Sequence, residues 1–176
     1  MRKICISIIL VMLLSSVCLL GMAENTRQVT LEGFRVKAVV PDGYSYSDRF
    51  VSDVLYVGML RPQDPKKPVA SITIAFDENA QGRTLNELSE EEMDGMIALF
   101  LQDTPSAVVT KSESGKGTKI LIFDNQTANE CTYDVMTLWK GYQIAVRVVP
   151  AGGSVLTEEQ KTMVLQFLTD ITIESL

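Results

Sequence analysis

Between Ala107 and Val149 the chain offers four alternating stretches joined too briefly to cross over, and nothing else constrains the fold as much. The stretches are Ala107–Glu113, Thr118–Phe123, Cys131–Trp139 and Tyr142–Val149. Ser114-Gly115-Lys116-Gly117 links the first two, Asp124 to Glu130 the next, and Lys140-Gly141 the last. A parallel crossover needs about a dozen residues or more, so such strands pair antiparallel with their neighbours. In the third stretch Cys131, Tyr133, Val135 and Trp139 share one face, and Asp134 takes the other.

The flanking sequence extends this pattern. Phe34, Val36, Ala38 and Val40 alternate with Arg35 and Lys37, and Pro41-Asp42-Gly43-Tyr44 supplies a turn. Further strands are expected over Val51–Leu60 and Val69–Phe76. The three prolines within Arg61–Pro68 place that segment in a loop. Ser89 with Glu92 forms a capping box, followed by a helical stripe of Met93, Met96, Ile97, Phe100 and Leu101. Gly95 inside that helix costs about 1 kcal/mol relative to alanine, which predicts a close backbone contact there. Thr157 with Gln160 opens a second helix with Met163, Val164, Phe167, Leu168 and Ile171 on its stripe. The expectation is one α+β domain: an antiparallel meander of about six to seven strands flanked by two amphipathic helices.

The N-terminus reads as an address. Arg2 and Lys3 precede an uncharged apolar run from Ile4 to Leu20, and Gly21-Met22-Ala23 provides a cleavage site. Residues 1–23 are therefore expected to be a signal peptide, and 24–176 an exported domain, periplasmic or extracellular. An uncleaved N-terminal anchor is the alternative. No later stretch nears the roughly 20 apolar residues needed to cross a bilayer, so the mature chain is expected to lack a span.

Composition removes whole classes of chemistry. The net charge of −6 becomes −8 once the leader cations Arg2 and Lys3 are gone, which disfavours nucleic acid as a partner. The chain has no histidine, so Ser–His and Cys–His pairs and histidine-ligated metals are excluded. Cys5 and Cys18 fall in the leader, leaving Cys131 without an internal disulfide partner. No enzymatic activity and no cofactor are expected.

Two candidate sites survive. Asp77, Asn79 and Gln81, followed by Gly82, match the early positions of a calcium loop, with Glu87 at position 11 where a bidentate glutamate belongs at 12. That pattern keeps open a small calcium-responsive module; a carboxylate-based hydrolase is the other alternative, its acid–base pair not located by the sequence. The second candidate is a contact surface: Tyr44 and Tyr46, two apart, beside the positively charged Arg61, Lys66 and Lys67 of the proline-rich loop. Its expected partner is an envelope or secreted protein.

Phe34-x-Val36 running into Pro41-Asp42-Gly43-Tyr44, a mid-chain helix and a late helix led by Thr157-x-x-Gln160 resemble the PsbP-like fold over roughly residues 28–174. The small bacterial envelope members of that superfamily are the nearest in layout. The resemblance implies a sheet flanked by helices and a non-catalytic accessory role, docking on a larger assembly.

Overall fold

Two antiparallel sheets of unequal size organise the chain. A computed structural model describes residues 26–31, 34–52, 54–114, 117–127, 130–153 and 155–176; the signal peptide read over 1–23 lies outside them. The strands are β1 (Thr26–Leu31), β2 (Phe34–Val39), β3 (Tyr44–Val51), β4 (Leu55–Pro62), β5 (Val69–Phe76), β6 (Val108–Glu113), β7 (Lys119–Gln126), β8 (Cys131–Trp139), β9 (Tyr142–Val149) and β10 (Thr172–Ser175). The helices are α1 (Glu90–Asp103) and α2 (Glu158–Asp170). Among the described residues no helix is long and apolar enough to cross a membrane.

The expected antiparallel sheet is present with seven strands, but it is not one continuous meander. Its order is β3-β4-β5-β9-β8-β7-β6. Two meanders, β3 to β5 and β6 to β9, meet where β5 pairs with β9, from Val69↔Val149 to Phe76↔Tyr142. The chain between β5 and β6 carries α1, and this long link lets β6 start at the far edge. A second sheet of order β1-β2-β10 was not foreseen. Nor was the β3–β4 hairpin. Its turn rests on Ser52, whose Oγ accepts from the Leu55 N–H at 3.1 Å. The Arg61–Pro68 segment also departs from expectation. Arg61 and Pro62 close β4, paired with Ser45 and Tyr44, because a proline is tolerated at a strand end.

Each face of the large sheet has its own core. On the inner face Tyr56, Ile72, Val146 and Val135 meet Val36 and Ala38 of the small sheet and Val164 and Phe167 of α2. On the outer face Met93 of α1, with Met96 and Phe100 partly buried, covers Leu121, Phe123, Met136 and Leu138. Both helices begin as their capping boxes predict, with Ser89 Oγ accepting from Glu92 N–H and Thr157 Oγ1 from Gln160 N–H. Strand β8 is covered on both faces. Asp134 is therefore not a solvent-facing residue but is buried, with Oδ1 accepting from Arg147 Nε at 2.6 Å. Burial raises the Asp134 carboxyl above its ordinary value, and the arginine opposes that rise.

Candidate functional site

Among the described residues the outer face is only half covered. A helix is about 10–12 Å across and strands are spaced about 4.8 Å apart, so one helix shields two or three strands. Helix α1 sits on β7 and β8 and reaches Ala145 of β9. The outward side chains of β4 and β5, among them Leu55, Val57, Met59 and Ala75, belong to neither core. Val69 and Val149, paired across β5 and β9, are exposed at the sheet end. Near the β3–β4 hairpin Phe50, paired with Val57 and so on the same face, is 52% exposed. An apolar, β-branched surface of this kind marks an interaction site more often than a solvated one.

The predicted contact residues divide across the sheet. Arg61 lies on this open face, with Nε 3.4 Å from Met59 Sδ. Lys66 and Lys67 are exposed in the loop that follows. This end of the surface is therefore positive in an otherwise acidic chain. Tyr44 and Tyr46 do share a strand face, but it is the inner one. Tyr44 is buried, and its hydroxyl donates to the Pro68 carbonyl at 3.2 Å, so it offers nothing to a partner. The parity of the two tyrosines was legible; which side would be covered depended on the small sheet.

Tyr46 belongs to a polar chain under that small sheet. Tyr56 donates to Asp48 Oδ1 at 2.8 Å, and its own oxygen lies 2.6 Å from the Tyr46 hydroxyl. Arg27 of β1 closes the chain by pairing with Asp48. Its hydrogen bond, helped by that from Tyr56, holds the Asp48 carboxyl below its ordinary value despite partial burial. Burial pushes the Tyr46 phenol up to about 12, and raises Tyr56 as well. Neither phenol is activated as a nucleophile by such surroundings.

The four calcium candidates serve local turns. Asp77 Oδ1 accepts from Asn79 N–H at 2.9 Å at the start of a 3-10 turn over Glu78–Ala80. Gln81 ends that turn in the left-handed region, at φ 51°. Glu87 lies in a separate 3-10 turn, Leu85–Glu87, where Oε2 accepts from Thr84 N–H at 2.7 Å and Thr84 Oγ1 at 2.8 Å. These bonds lower the Glu87 carboxyl. Asp77 and Glu87 are thus committed to different turns, and no group of three or more acidic or thiol side chains suited to a metal forms among the described residues.

Cys131 is half-buried at the start of β8, with Sγ donating to the Thr127 carbonyl at 3.4 Å. No protein-family model matches this chain, and no curated protein matches its sequence.

Proposed function

We propose that the protein is an exported, non-catalytic binding module that docks on another envelope or secreted component through the open half of its outer sheet face. The observation that carries this reading is the row Leu55, Val57 and Met59, outward on β4 and part of neither core. Arg61, Lys66 and Lys67 at one end of it suit a partner surface that joins apolar area to acidic side chains. The PsbP-like resemblance, with its docking role, points the same way.

The test is a photo-crosslinking amino acid placed in turn at Val57, Met59 and Thr73, with Ala98 on the exposed side of α1 as control. One dominant crosslinked species in cells is expected from the first three positions, weakened by Arg61→Glu. Equal capture from Ala98, or none from the sheet positions, would reject the docking face.

A further inference from the structure

Where α1 meets the loop after β5, the surface opens into a cavity of about 320 Å³. Leu88, Met96 and Leu99 form its apolar walls, with Asp77, Arg83 and Glu92 around them. A second cavity of about 150 Å³ shares Asp77, Met96 and Leu99 and continues to Phe100 and Met136. The two make one groove along α1, and the larger alone reaches the size of small-molecule sites, about 300–1,000 Å³.

Gly95 is part of the wall, and it answers the question raised by its place in a helix. A Cβ built on it meets nothing within 4 Å, so the close backbone contact expected from the sequence is not there. What the glycine leaves is space. Gly95 lines the groove without a side chain of its own to occupy it.

The charges in the groove are not balanced. Arg83 Nη1 pairs with Glu92 Oε1 at 2.9 Å, and its Nε donates to the Ala80 carbonyl at 3.2 Å. Glu92 Oε2 accepts from the Ser89 N–H at 2.9 Å, so this pair is internally satisfied. Asp77 has only the Asn79 N–H on Oδ1, and no lysine or arginine pairs with it among the described residues. One uncompensated carboxylate thus stands at the junction of both cavities, between thioether and leucine walls.

We infer that this groove binds a small organic ammonium ion with an apolar body. Asp77 takes the charge, and Met96 and Leu99 take the body, since methionine adapts to irregular apolar shapes. A neutral ligand of the same shape desolvates Asp77 without replacing its water, and an anion is repelled. The site lies on the helix-covered part of the molecule and stands independently of the docking face.

The probe is phenethylammonium, titrated into the purified protein and followed by amide NMR, with 2-phenylethanol and 3-phenylpropionate as neutral and anionic counterparts. Saturable shifts at Asn79, Gly95 and Met96 in the low-millimolar range are expected for the amine alone. Asp77→Asn keeps the Oδ1 acceptor that caps the turn, and is expected to weaken binding about tenfold. Gly95→Leu fills the groove and removes binding, while the melting temperature holds or rises because leucine is the better helix former. Equal shifts with the alcohol, an unaltered affinity in Asp77→Asn, or no saturable shift at these amides would overturn the assignment.

Discussion

Gly58 shows how far a single residue can be dictated by what packs over it. A Cβ there would sit 2.0 Å from the Tyr46 hydroxyl and 2.8 Å from that of Tyr56, so only glycine lets the two phenols meet. Gly58→Ala is expected to lose about 1–3 kcal/mol in urea denaturation, as other overpacked sites do. The same phenols predict an alkaline limit. Tyr46 ionises near 10.0 in the unfolded chain and near about 12 in the fold, so the folded state keeps its proton longer. Its contribution is complete below pH 10 and is lost as pH rises toward 12, because there the native state binds more protons than the unfolded one. The urea midpoint should therefore fall across this window in the wild type, and less steeply in Tyr46→Phe. Arg147 gives a third residue-scale expectation. Arg147→Met strands the buried Asp134 carboxylate and should cost about 1–3 kcal/mol, moderated because the arginine is partly exposed. Asp134→Leu in the same chain should restore much of it, since no charge is then left buried. Of these positions the parities of Tyr46 and Asp134 could be read from the sequence, and neither one's surroundings could. The burial of Asp134 required knowing that α1 lies across β8.

At the scale of elements, legibility followed local chemistry. Strands β5, β8 and β9 begin and end where alternation and turn residues put them, and both helices start at their capping boxes. Replacing Ser89 by alanine removes the acceptor for Glu92 N–H and should lower stability by about 1 kcal/mol, measured by thermal unfolding. Elements that depend on distant partners were hidden. Strands β1 and β10 are short, and each is ordered by pairing with β2, where Val29, Val36 and Ile173 fall in register. A stop after Asp170 deletes β10, and the amides of β2 should then exchange faster while those of β8 keep their protection. The β3–β4 turn carries no glycine or proline to signal it, and Ser52 binds Leu55 across it instead.

For the whole molecule, the arithmetic of layers explains where a partner could sit. Seven strands need more cover than one helix per face can give, and the inner face obtains it from α2 together with the small sheet. Among the described residues the outer face has α1 and the turns before it, which bring Leu85 and Leu88 onto the same core. The sequence carried a trace of this, since β4 is apolar at Leu55, Val57 and Met59 as well as at Tyr56 and Leu60, and among the described residues no third α-helix hides the first set. That inference needed the strand order, which alternation does not encode.

The seam between β5 and β9 also sets a timetable. Its partners, such as Phe76 and Tyr142, are far apart along the chain, and such contacts form late because a long loop must close first. Synthesis runs from the N-terminus, so Ala70, Ile72 and Ile74 are made well before the strand that will cover their edge. Until β9 arrives, β5 is an apolar strand with an open side, the state most prone to pairing with the wrong chain. The nascent protein is thus most vulnerable in the interval between making its fifth strand and its ninth.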